Sequence, residues 1–252
     1  MSSVAQPLRL VPLAGIPEVE PGADLAALVR TAAERAEIAL VGGALVVCQK
    51  IVSKAENRIV ALADVEPSAT ARRIAETDAK DPRHVELILR ESLRLVRHDH
   101  GVMICETRHG FVCANAGVDL SNTPGPECAV LLPLDPDASA AKLRAALLAQ
   151  RNAPLAVVVS DTFGRPWREG LVDVALGCAG IAPIDDRRGS TDRGGRALQV
   201  TATATADQLA AAAGLLMPKN SGIPAVWIDG VPIAGDGRVR DTLRTPETDL
   251  FR

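Results

Sequence analysis

Short apolar runs between turn residues predict strands, and apolar positions three and four residues apart predict helices. Residues 9–13 are the first such run. Residues 16–19 lead into Pro21-Gly22 and belong to a loop. Asp24 is placed to cap a helix over 25–38, where Leu25, Leu28, Val29, Ala32 and Ala33 share a face. Gly42-Gly43 breaks the chain, and the unbroken apolar run 44–48 predicts a buried strand ending in the polar stretch 49–54. Pro67-Ser68 opens a second helix with Ser68 as its cap. Asp81-Pro82 opens a third, whose apolar face runs through Val85, Ile88, Leu89, Ser92, Leu93 and Val96. Residues 101–106 and 111–114 predict a hairpin turning at 107–110.

Further on, 128–132 and 155–160 read as strands, separated by an Ala/Leu-rich helix from Asp135-Pro136-Asp137 to about Arg151. Residues 161–170 are a long polar stretch. Residues 185–195, with six charged residues and three glycines, are the most loop-like part of the chain. Residues 198–203 alternate like a strand, Asp207 is placed to cap a helix through Met217, and 223–228 form a last strand. Interleaved strands and helices predict a mixed α/β (α+β) fold, with mixed sheets and flanking helices. The order lacks the regularity of a doubly wound sheet.

Composition narrows the class. The chain has 252 residues, enough for one large domain or two small ones, and 47% are apolar, enough to bury a core. No run approaches the ~18 apolar residues of a membrane span. The N-terminus lacks a basic-then-apolar export signal, so the expected location is cytoplasmic. Lys+Arg 28 against Asp+Glu 31 leaves no basic footprint for nucleic acid, and the five aromatic residues are too few for a base-stacking surface. Cys48, Cys105, Cys113, Cys128 and Cys178 are odd in number and form no C-x-x-C, which fits a reducing compartment.

Familiar nucleotide and hydrolase signals are missing. There is no phosphate loop of the G-x-x-x-x-G-K-[ST] type, no G-x-G-x-x-G after a strand, no G-x-S-x-G elbow and no zinc spacing. Gly177-Cys178-Ala179-Gly180 is only G-x-x-G. Two segments offer a different chemistry. Residues 115–122 leave a strand and present Asp119 beside Ser121 and Asn122; residues 160–168 put Asp161 and Thr162 at the end of a buried strand, ahead of Arg165 and Arg168. Hard divalent cations take one or two carboxylates plus substrate phosphates, and arginine grips phosphate or carboxylate as a fork.

Plainer readings compete. A strand-end Asp can be only a turn former. Lys50 and Lys54 read as solvated charges. His98-Asp99-His100 reads as an exposed cluster beyond a helix end, His109 as polar filler in a turn, and Cys113 as a buried strand residue with no His–acid partner.

The segments GIPEVEPGADL (15–25), QKIVSKAENRIV (49–60), DPRHVELILRES (81–92), RHGFVCANAGVDLSN (108–122), LLPLDPDASA (131–140), VVVSDTFGRPWREG (157–170) and LLMPKNSGIP (215–224) carry a family resemblance. With them the chain resembles the coenzyme F420-0:L-glutamate ligase family over nearly its whole length. The resemblance implies GTP-dependent amide formation: L-glutamate joins the lactyl carboxylate of F420-0, and further glutamates follow by γ-linkage. It implies divalent Mn or Mg, two ions expected, with K⁺ assisting, and an intertwined homodimer. GTP, L-glutamate and F420-0 would be the small-molecule partners, with no nucleic acid and no membrane.

By the same resemblance Asp119, Asp161 and Thr162 are metal ligands, the two aspartates serving catalysis. Ile16, Pro17, Glu18, Val19, Gln49, Lys50, Lys54 and Asn122 line the GTP site, with Leu216, Met217, Pro218, Lys219, Asn220, Ser221, Gly222 and Ile223. The family has Gly where Pro218 stands. Proline fixes φ and lacks an N–H, so a phosphate or metal contact by that backbone must differ. The nitroreductase-like domain fused to the mycobacterial enzyme is not expected, leaving residues 1–252 as one ligase domain with room for two subdomains and no flavin role. Two other readings remain. The same apparatus could join a different amino acid or a different phosphorylated carboxylate, or the chain could bind nucleotide without turning it over.

Overall fold

The computed structural model describes residues 7–149, 154–245 and 247–249. In chain order the elements are β1 (Arg9–Pro12), α1 (Leu25–Arg35), β2 (Gly43–Cys48), α2 (Gln49–Ala55), β3 (Ile59–Ala61), α3 (Ala69–Asp78), α4 (Pro82–Arg90), β4 (Ser92–Asp99), β5 (Val102–Thr107) and β6 (Val112–Ala114). They continue with β7 (Cys128–Val130), α5 (Pro136–Leu148), β8 (Leu155–Arg165), β9 (Arg168–Ala179), β10 (Ile184–Asp186), β11 (Ala202–Ala204), α6 (Thr205–Gly214) and β12 (Ala225–Asp229). The expected mixed α/β class is what the chain adopts.

The central sheet has the order β1-β12-β2-β8-β9. Only β2 and β8 run parallel; the other three pairings are antiparallel. Alternation along β2 and β8 decides which core each residue joins. Leu45, Val47, Leu155, Val157 and Val159 face α1, α2 and α5, together with fully buried Trp227. Ala44, Val46, Ala156 and Val158 face α6. Burying a large apolar side chain contributes roughly 1.5–3 kcal/mol, so these two layers dominate the stability of the sheet. A third core joins α3 and α4 to β5 and β7 through Val85, Ile88, Met103 and Cys105. The three-stranded sheet β4-β5-β6 carries this part of the chain. All five cysteines are free.

The caps expected at Asp24 and Ser68 are present, and the helices expected to open at Asp81 and Asp135 are capped there too. Asp24, Ser68, Asp81 and Asp135 accept from the first-turn amides of α1, α3, α4 and α5. The hairpin of β5 and β6 is present. Other expectations are corrected. The polar stretch 49–54 is α2, because Ile51 and Val52 supply a buried face despite the polar neighbours. The apolar face projected from Val85 to Val96 does not stay helical: α4 ends at Arg90 and Ser92–Asp99 pairs with β5. Leu93 and Leu95 fit a period of two as well as one of 3.6, and cross-strand bonding decides.

Residues 161–170 are the outer half of β8 and a tight turn at Pro166-Trp167 into β9, with Trp167 at φ 58°. The loop-like 185–195 begins inside β10, and of 198–203 only Ala202 and Thr203 belong to a strand. α6 starts at Thr205 and ends at Gly214; Asp207 does not cap it but accepts from the Ala175 amide of β9 at 2.9 Å. α1 stops at Arg35 rather than residue 38. The expected end of α5 near Arg151 lies outside the described residues.

Candidate active site

Four separate chain segments meet at one cleft of about 510 Å³. They are the loop 16–19, the start of α2, the turn after β6, and the β8–β9 hairpin, closed by residues 217–224. Four carboxylates (Glu18, Asp119, Asp161, Asp173) and three ammonium groups (Lys50, Lys54, Lys219) line it.

Asp119 is held by an unusual turn. Asn115, Ala116 and Gly117 take positive φ in succession, at 53°, 52° and 70°. A Cβ on Gly117 would come within 2.7 Å of the Leu132 side chain, so only glycine fits. Beyond the turn, Asp119 exchanges two backbone hydrogen bonds with Val130 of β7, both at 2.9 Å. Its Oδ1 accepts from the Ser121 amide at 2.7 Å and from the Ser121 hydroxyl at 2.8 Å. Its Oδ2 pairs with Lys50 Nζ at 2.7 Å. Enclosure works to raise the Asp119 pKa, but the bonds from Lys50 and Ser121 outweigh it and hold the carboxyl below its ordinary value.

Lys50 is therefore not a solvated charge. It also donates to the Ser121 carbonyl and hydroxyl at 3.0 and 2.9 Å, spending its three protons on the Asp119 turn. Lys54 is buried and paired with Glu18, which ties α2 to the loop 16–19.

Asp161 sits where β8 leaves the core. Enclosure pushes its carboxyl up to about 7; the Thr162 amide lowers it, the Asp119 charge raises it, Lys50 lowers it and Asp173 raises it. Thr162 donates its hydroxyl proton to Asp173 Oδ1 at 2.7 Å. Asn122 donates from Nδ2 to the Lys219 carbonyl at 3.2 Å, joining the Asp119 turn to the 217–224 segment. In that segment the Pro218 carbonyl accepts from the Ser221 amide at 2.8 Å.

Of the residues expected at the nucleotide site, Ile16, Pro17, Glu18, Val19, Lys50, Lys54, Asn122, Met217, Pro218, Lys219, Asn220, Gly222 and Ile223 line the cleft. Gln49, Leu216 and Ser221 do not. Gln49 is fully buried and accepts from Ser53 at 2.8 Å; Leu216 packs against the α6-side core; Ser221 turns its hydroxyl back to the Ile223 amide. Asp173 was not anticipated. Its available signal is an acid inside the apolar run 171–179, which forms most of β9. The G-x-x-G at 177–180 has a packing role: a Cβ on Gly177 would strike the Pro136 backbone at 2.2 Å.

His98 and His109 lie elsewhere. His98 belongs to β4 and meets Asp78 at 2.8 Å, and His109 Nε2 meets the Pro133 carbonyl at 2.8 Å while its ring stacks on Phe111. Cys113 is buried, and its thiol is pushed up to about 12 by that burial, which makes it a poor nucleophile.

Among the described residues no group of three or more His, Cys, Asp or Glu side chains is arranged to hold an ion by itself. Asp119, Asp161 and Thr162 nonetheless fit Mg²⁺ or Mn²⁺, which take one or two carboxylates and complete their shell with water and phosphate oxygens. The cleft's ammonium groups argue the same way. Lys50 and Lys54 are already matched by carboxylates, which leaves little positive charge for a polyphosphate.

The profile of the F420-0:gamma-glutamyl ligase family matches residues 15–230. The chain belongs to that family. Its relatives include the coenzyme F420:L-glutamate ligase of Methanothermobacter thermautotrophicus, 47% identical over 97% of this chain and 99% of the relative. The protein of the same name from Methanopyrus kandleri is 43% identical over 97% and 98%. That of Archaeoglobus fulgidus is 38% identical over 97% and 96%. The family's matched span contains every segment that builds the cleft. Among the described residues no helix is long and apolar enough to cross a membrane.

Proposed function

We propose that this family member is a ligase that joins L-glutamate to the lactyl carboxylate of coenzyme F420-0 with GTP as co-substrate. The observation that carries the reading is the convergence of Asp119, Asp161 and Thr162 in one cleft.

A carboxylate does not lose oxygen to an amine, so it must first be activated. An F420-0 carboxylate oxygen attacks the γ-phosphorus, the bond to the β-phosphate bridging oxygen breaks, and GDP leaves. The resulting acyl phosphate accepts the glutamate amine, and inorganic phosphate departs as the amide forms. Such transfers depend on alignment and charge neutralisation more than on covalent help. Asp119, Asp161 and Thr162 would hold divalent ions, which neutralise and align the phosphates when bound. Lys50 keeps Asp119 ionised and oriented. Lys54 anchors the loop 16–19, and Lys219 is free to meet a phosphate oxygen. Further γ-linked additions and assistance by K⁺ belong to the same reading. A reducing, cytoplasmic setting suits five free thiols.

The dimer is part of the proposal. β4 is an edge strand of its sheet and exposes Leu93, Leu95 and Val96. These exposed apolar side chains, interleaved with Arg94 and Arg97, would suit burial against a second copy.

The test is incubation with F420-0, L-glutamate, GTP and Mn²⁺ or Mg²⁺, read by mass spectrometry. A gain of one glutamate with equimolar GDP is expected. GDP release without that product would point to another acceptor or amino acid; nucleotide binding without GDP release would leave a binder.

A further inference from the structure

Asp173 lines the cleft, and its carboxylate is engaged by a neighbouring hydroxyl. It stands directly across the hairpin from Thr162, in register. Its Oδ1 takes the Thr162 hydroxyl proton at 2.7 Å. Its Oδ2 is backed by the end of α6: a Cβ on Gly214 would lie 2.8 Å from both Oδ2 and Cγ. A hydroxyl has one proton and two acceptor lone pairs. With its proton committed to Asp173, Thr162 can meet a ligand only as an acceptor. A cation requires that; a phosphate oxygen cannot use it.

We infer that Asp173 is a positioning residue, which locks the Thr162 hydroxyl in the cation-accepting orientation, and that glycine at 214 is the space that lets it do so. The inference rests on the metal role proposed above for Thr162. Asp173 acts through Thr162 and does not itself hold the ion.

A double-mutant cycle on the full chain separates these roles. Binding of Mn²⁺ in the presence of GDP is followed by the electron paramagnetic resonance of the free ion, and thermal unfolding checks each fold. Thr162→Val and Asp173→Ala are each expected to weaken Mn²⁺ binding by about tenfold, the scale of losing an ion's supporting hydrogen bond. The double variant should bind no more weakly than Thr162→Val alone. Asp173→Asn, whose Oδ1 still accepts a proton, should recover most of the affinity. Additive losses would mean that Asp173 touches the ion independently, and unchanged affinity in Asp173→Ala would mean that it does nothing; either overturns the inference. If Asp173→Ala fails to fold, Gly214→Ala replaces it. The added methyl displaces the Asp173 carboxylate without touching the cleft's ligands, so Mn²⁺ affinity should fall, and an unchanged affinity overturns the inference. Wild-type protein that binds no Mn²⁺ would remove the metal role of Thr162 itself, and the inference with it.

Discussion

At the scale of single residues, the cleft sets two carboxyls apart. Asp119 is held ionised by Lys50 and Ser121, whereas Asp161 is raised to about 7 by enclosure. For Asp161 the folded pKa lies above the unfolded value near 3.8. Its favourable contribution is therefore complete below about pH 4 and is lost as pH rises through about 7. Asp161→Asn should abolish ligation yet raise the melting temperature of the metal-free protein at about pH 8, with a smaller gain at about pH 5. Scanning calorimetry at the two pH values checks this; an equal change at both would remove the titration as the cause. Asp119→Asn should behave differently. Lys50 then loses its charge partner, so the variant should melt lower than wild type above pH 5, with the difference shrinking as acid protonates Asp119 in the wild type.

At the scale of elements, β8, β9 and α2 carry Asp161, Thr162, Asp173, Lys50 and Lys54, and a short connection carries Asp119. The turn 115–117 aims Asp119 by three consecutive positive φ values. Gly117→Ala must strain φ and press a methyl into Leu132, a cost of about 1–3 kcal/mol. Denaturant unfolding should register that loss, and Mn²⁺ affinity should fall with it; a variant as stable as wild type would show that the turn relaxes without cost. Within the sheet, Leu45→Ala should cost about 2–5 kcal/mol and leave metal affinity in the surviving folded protein unchanged, because Leu45 is buried in the core and is not among the residues that line the cleft. Buried strands and capped helices were legible for a local reason. Residues 44–48 and 155–160 are continuous apolar runs, and Asp24, Ser68, Asp81 and Asp135 sit one residue before their helices. β4 and β9 were not legible, because Leu93 and Leu95 suit either period, and residues 161–170 look like loop until Thr162 is paired with Asp173.

At the scale of the molecule, the proposed dimer makes a direct prediction. Leu93 is 64% exposed on the β4 edge. Leu93→Glu should shift sedimentation at micromolar protein from dimer to monomer, whereas a wild-type monomer would dismiss the assembly.

The sequence by itself determined the mixed class, the buried strands, and the acids and hydroxyl that end them, because these follow from side-chain character and local spacing. Only the tertiary structure decided which groups meet. It brought Lys50 to Asp119 across 69 positions, paired Thr162 with an unforeseen Asp173, and withdrew Gln49 into the core. Such encounters depend on strand register and on which face of the sheet each helix covers, and chain packing sets both.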